Sequence, residues 1–182
     1  MLNSRKEAGI LKENNAKLDS QLNELEQYRR RQNLEIHGIP MPDNETNAEV
    51  EDKVLQVLKK IDTTLSKDSI DVVHRLRGKP KTDQNKKYPS IIVRFIARKT
   101  RNYIYSSRKK LKSAEFDHPR IEVFVNENLT SRKKHLLAQA NQKRKDLHWK
   151  YLWTNNGRIN LRKNENDAVI TIQTENDLHR IK

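Results

Sequence analysis

Leucines recur every seven positions near the start of the chain, at Leu11, Leu18 and Leu25, with Ala8, Asn15 and Leu22 three places ahead of each. Leucine at d with one Asn among the a positions is how parallel coiled coils set their register. The spacing predicts a coiled-coil helix over residues 1–31, with Leu11, Asn15, Leu18, Leu22 and Leu25 on the seam between copies. The partner is a second or third copy of the same chain, since the heptads fit a dimer or a trimer. With no capping residue ahead of Leu11, the coil reads as the stub of a longer one.

Beyond Arg29-Arg30-Arg31 the period changes from seven to two. Asn33 to Pro40 alternates apolar and polar and ends on Gly and Pro, as a half-buried strand does. Thr46 to Glu49 is a capping-box pattern. Behind it Val50, Val54, Val57, Leu58 and Ile61 repeat at helical spacing. Ile70 to Leu76 is a second strand, with Ile70, Val72 and His74 on one face. Ile91 to Ile96 is apolar nearly throughout and reads as a central strand. A helix from Arg98 to Lys112 and a strand from Ile121 to Val125 complete a β-α-β-β-α-β order over residues 32–128.

Residues 129–182 read as a smaller unit. Thr130 caps a helix that runs to about Leu147, with Leu136, Leu137, Ala140 and Leu147 on its core side. Three strands follow, Trp149 to Trp153, Arg158 to Arg162 and Ala168 to Ile172, and Asn156-Gly157 joins the first two as a hairpin turn. Thr174 and Asp177 cap a last short helix carrying Leu178 and Ile181. Trp149 and Trp153 read first as core residues, with Tyr151 on the opposite strand face from both. The fold class is α+β: a coiled-coil helix, a β-α-β-β-α-β sandwich and a small C-terminal α-β-β-β domain.

Charge changes this picture most between residues 74 and 112. That stretch holds 14 Lys and Arg against the single acid Asp83, in a protein whose net charge is +14. Lys86 and Lys87 fall in its loop, Gly78 to Pro89, and Arg77 stands just ahead of it. Arg98, Arg101, Tyr105, Arg108 and Lys112 form one stripe of the following helix, uninterrupted by any acid and spaced to dock along phosphates. A positive field focused on a folded element marks a polyanion-binding surface. Asp43 to Asp71 carries eight acids and four lysines and should face away from it.

Composition removes other classes. Cysteine is absent, so disulfides, Cys-containing zinc sites and cysteine nucleophiles are excluded. The six histidines share no metal-ligand spacing, and no glycine-rich phosphate loop or HExxH occurs, so neither enzyme nor cofactor is expected. No apolar run approaches the ~18 residues of a membrane span. The polar N-terminus is not a signal peptide, and the expected location is intracellular, cytoplasmic or nuclear.

The β-α-β-β-α-β unit is RNA-recognition-motif-like but not standard. Its third strand keeps only Val93 and Phe95 of the usual motif, with Ser90 and Ile92 at the aromatic positions and Glu35 at that of the first strand. That sheet offers bases no stacking platform, so capture of the backbone by cations is expected, with strong salt dependence.

Arg30 to Pro40, Ile70 to Leu76 and Pro89 to Phe95 together resemble the first-open-reading-frame protein of LINE-type retrotransposons. Ile121 to Thr130, the helix after it and Asn156-Gly157-Arg158-Ile159 are similar to the baculovirus FP (few polyhedra) protein. The first resemblance implies a coiled-coil oligomer that binds single-stranded RNA or DNA as a nucleic-acid chaperone. It implies backbone-binding roles for Arg30, Arg31, Arg75, Arg94, Arg101 and Arg132, and puts Trp153 on a hairpin near the bound strand. The second implies a structural protein of a virus or mobile element. The other function class the residues allow is a protein-interaction module whose basic face meets an acidic partner or a membrane surface.

Overall fold

The computed structural model describes residues 2–76, 88–113 and 122–182. It is mixed α and β. By its contacts the chain divides into two units, residues 32–128 and residues 1–31 with 129–182.

In the 32–128 unit, the strands are β1 (Asn33–His37), β2 (Ile70–Arg75), β3 (Ile91–Phe95) and β4 (Phe124–Glu127), and the helices are α2 (Asn47–Lys59) and α3 (Arg98–Ser107). The sheet order is β2-β3-β1-β4 and every neighbour is antiparallel. With β1-α2-β2-β3-α3-β4 along the chain, this is the split βαβ arrangement. One face supplies Leu34, Ile36, Val93, Phe95 and Val125 to the core, where Val54 and Leu58 of α2 and Ile104 of α3 meet them. The capping box forms as read. Thr46 accepts from the Glu49 backbone N–H, and the Glu49 carboxylate accepts from that of Thr46 at 2.7 Å.

Three features differ from expectation. A β-bulge between Ile70 and Val72 reverses the alternation of β2. Ile70 is buried, but Val72 turns outward and Val73 packs on the core. The bulge adds a residue, and a one-residue slip exchanges the two faces of a strand. The helix from Arg98 stops being α at Ser107 and tightens into a 3-10 turn over Arg108–Ser113, where Leu111 still reaches the core. The fourth strand begins at Phe124, three residues late.

In the other unit, α1 runs over Leu2–Arg29 and α4 over Ser131–Asp146, with a sheet of β5 (Tyr151–Asn155), β6 (Arg158–Arg162) and β7 (Ile170–Ile172) in that order. Asn156 and Gly157 take φ of +53° and +75°, the left-handed pair that a two-residue hairpin needs. Leu136 and Ala140 of α4 pack on Ile159, Leu161 and Ile172, with Trp149, Leu178 and Ile181 closing the cluster. Leu147, expected there, is 41% exposed. It ends α4 as its C-cap and falls off the helical face.

The C-terminal third of α1 belongs to this core's edge. Thr130 caps α4 through its hydroxyl, which accepts from the Lys133 N–H and donates to Asn23 Oδ1 at 2.7 Å. The Thr130 N–H donates to Gln27 Oε1 at 3.0 Å. Gln27 is only 4% exposed, and Lys133 pairs with Glu24 at 3.0 Å. Asn23, Glu24 and Gln27 lie at b, c and f of the heptad, away from its a and d seam. That seam stays bare: Leu11, Leu18, Leu22 and Leu25 are each more than 60% exposed. The helix thus docks with its back and presents its leucines outward.

Candidate nucleic-acid interface

The arginines expected at the interface fall into two groups. Arg75 and Arg101 are internal, which corrects the expectation that they bind a backbone. The bulge in β2 turns Arg75 inward. Its Nε and Nη2 donate to both oxygens of Glu45 at 2.7 and 3.0 Å, and its remaining donors reach the carbonyls of Ile39, Pro40 and Pro89. Burial pushes the Glu45 carboxyl up, yet hydrogen bonds and charge from Arg75 and Lys53 outweigh it and hold the group below its usual range.

Arg101 is 2% exposed and donates to Glu127 Oε1 at 2.7 Å, a pair with both side chains inside. So the stripe on α3 does meet an acid, delivered by β4 rather than by its own helix. Tyr105 is engaged as well. The Arg108 guanidinium lies 3.9 Å from its ring centroid and that of Arg101 5.1 Å. Arg108 also donates to the Tyr105 carbonyl.

Two more expected cations hold carboxylates at the surface. Arg94 meets Asp71 at 3.0 Å, and Arg30 donates to Glu26 at 2.6 Å through Nη2. Such exposed pairs contribute at most about 1 kcal/mol and open readily to a polyanion. Arg31 lies 4.9 Å over the Tyr28 ring. Arg98, Lys112 and Arg132 are exposed. Arg77, Lys86 and Lys87 lie outside the described residues.

What stays available in the 32–128 unit is the outer side of α3 and the turn after it. Lys99, Lys109 and Lys112 are exposed there, and none forms an ion pair among the described residues. The sheet's outer face is a poor surface for a polyanion. Glu35 is buried at its centre, 3.7 Å from His37 and accepting from Asn128, and Ile92 beside it is closed off. One ring does stand on this face, Phe124, 48% exposed and opposite His37. Alternation puts it there, between the buried Val123 and Val125.

In the C-terminal unit, Trp149 is a core residue whose indole N–H donates to the Lys182 carbonyl. Trp153 is not in that core. It sits on the other face of the sheet with Tyr151, and Arg162 lies 4.9 Å over the Tyr151 ring. Residues 150–163 hold Lys150, Arg158, Arg162 and Lys163 and no acid, and none of the four forms an ion pair among the described residues. Sequence reading set Tyr151 on the strand face opposite Trp153, which the register corrects by placing the two rings on one face, and it missed these four cations. The signal was present: a two-residue Asn-Gly loop fixes which residues face one another across the hairpin.

No helix among the described residues is long and apolar enough to cross a membrane. No group of three or more His, Asp or Glu among them is placed to hold a metal ion. No curated protein matches the chain at a significant level. The resemblance to retrotransposon proteins gains no support from these comparisons. The similarity to the FP protein is shown for one segment: residues 130–182, the capped helix and three-stranded sheet, match the family model of Baculovirus FP protein domain 2.

Proposed function

We propose that this is a non-enzymatic, oligomeric protein of a virus or mobile element that binds single-stranded RNA or DNA through the backbone, acting as a nucleic-acid chaperone inside the cell. The observation that carries the reading is the set of exposed cations, Lys99, Lys109 and Lys112 of α3 and its following turn and Lys150, Arg158 and Lys163 of the β5–β6 hairpin, that form no ion pair among the described residues. Unrelieved like charges repel, and the relief they lack is an anion. The bare a and d leucines of α1 support assembly, since two or more copies multiply a weak contact by avidity.

The test is fluorescence anisotropy of a labelled single-stranded oligonucleotide titrated with the full chain at several salt concentrations. If about five phosphates are neutralised, log affinity falls against log salt with a slope of roughly −3.5. Leu18→Glu with Leu25→Glu should reduce the sedimenting mass and weaken binding together. Affinity that ignores salt sinks the reading and leaves the alternative, a coil that recruits a protein partner.

A further inference from the structure

The register of the hairpin sorts its side chains by face. Tyr151 stands opposite Arg162, Trp153 opposite Asn160 and Asn155 opposite Arg158. Between them Leu152 and Thr154 face Leu161 and Ile159, and those two isoleucine and leucine side chains are fully inside. The sheet therefore has a core face against α4 and an outer face bearing two rings and two arginines. β7 continues the outer face with Thr171, whose hydroxyl donates to Asn160 Oδ1 at 2.9 Å and fixes that amide between the rings and the edge.

Three features separate this face from an ordinary solvated one. Its rings are not spent on the core, where Trp149 already fills the indole's place. Arg162 is stacked beside Tyr151, and its Nε is buried with no hydrogen-bond partner, a donor left unused. Arg158 and Arg162 share the face with the rings, and residues 150–163 hold no acid. Apolar rings beside arginines suit a ligand with flat faces and a negative backbone.

We infer that the outer face of the β5-β6-β7 sheet is a base-stacking platform, with Tyr151 and Trp153 each taking one base of a single strand and Arg158 and Arg162, on the same face, meeting its phosphates. This rests on the nucleic-acid reading above and gives that reading a second component beside charge. Alternate strand residues stand about 6.7 Å apart, twice the 3.4 Å rise of stacked bases along one strand. Two rings at that spacing accept successive bases of an extended, unstacked strand, as aromatic sheet residues do in RNA-recognition domains. Every base has a π-face, so the platform is tolerant of sequence.

The experiment compares a labelled oligothymidylate with an abasic strand of equal length and charge, each titrated with the full chain and with Trp153→Leu, Trp153→Phe and Tyr151→Leu. Stacking is worth about five- to 150-fold in affinity per base. Trp153→Leu and Tyr151→Leu should each weaken oligothymidylate by about tenfold or more and leave the abasic strand unchanged, with Trp153→Phe retaining most of the affinity. Equal binding of all variants to oligothymidylate overturns the platform but leaves salt-dependent backbone binding standing. Equal losses on both strands overturn it too, because the rings would then act only through the fold. Failure of the wild-type chain to bind either strand removes the nucleic-acid reading and the platform together.

Discussion

The two sheets share a plan, antiparallel strands with helices on one side, yet they use arginine in opposite ways. In the 32–128 unit, Arg75 and Arg101 go inward and close on Glu45 and Glu127. In the C-terminal unit, Arg158 and Arg162 stay on the outer face with rings and without carboxylates. The first sheet also buries an acid, Glu35, on its outer face. The comparison teaches that a dense run of positive charge and a binding surface are different things. Of the stretch from residue 74 to 112, part is structural cement. The quieter hairpin, with four cations in 14 residues, presents its charge more openly.

Breaking a buried pair should therefore have the largest effect, and on stability. Arg101→Ala strands Glu127 inside, where its charge has lost its guanidinium, at a cost of about 3–5 kcal/mol. Urea denaturation of the full chain should show a loss of that size in the 32–128 unit, and Arg158→Ala should show almost none in its own unit. A small loss at Arg101 would mean that the pair is a surface feature and the contrast between the sheets is false.

The C-terminal unit has a counterpart that uses neutral amides. Gln27 of α1 accepts from the Thr130 N–H and lies against Gly157 of the hairpin turn, so that one side chain joins coil, helix cap and turn. A Cβ at Gly157 would come 2.6 Å from Gln27 Cγ, and its φ of +75° strains any L side chain. Gly157→Ala should cost about 2–3 kcal/mol, strain plus the displaced hydrogen bond. The control lies in the same unit. Gly9 is within α1 with nothing inside 4 Å, and Gly9→Ala should instead add about 1 kcal/mol. Thermal unfolding of the two variants should move in opposite directions.

Much of this architecture was legible in the chain. Periods of seven, two and 3.6 found α1, the strands and α2, the Thr46 and Thr130 caps fell where they were read, and Asn156-Gly157 fixed the hairpin. What periodicity could not supply was the partner of a charge. Glu127 lies 26 positions from Arg101, and Glu45 lies 30 from Arg75, so nothing local in the sequence announces either pair. The bulge at Asp71 inverted the facing of β2 for the same reason, since one inserted residue is invisible to an alternation of four or five positions. Nor does a heptad reveal that its f position is buried, because Gln27 is covered by residues a hundred positions away. The hairpin was the opposite case. Its register follows from two turn residues, and Tyr151, Trp153, Arg158 and Arg162 could have been placed on one face by counting outward from the turn.

The smallest effect separates the two kinds of arginine most finely. Arg158 is exposed, unpaired and on a surface strand, so Arg158→Gln should leave stability within about 0.5 kcal/mol of the wild type. One phosphate contact fewer should make the salt slope of single-strand binding shallower by about 0.7. The change should be the same for every sequence tested, because a backbone contact carries no base information. Arg101→Gln, by contrast, should shift the unfolding midpoint while the slope of the still-folded fraction stays put, since that guanidinium never reaches solvent. Both variants remove one positive charge from a chain of net +14. A difference between them in slope therefore measures where the charge stands rather than how much of it there is.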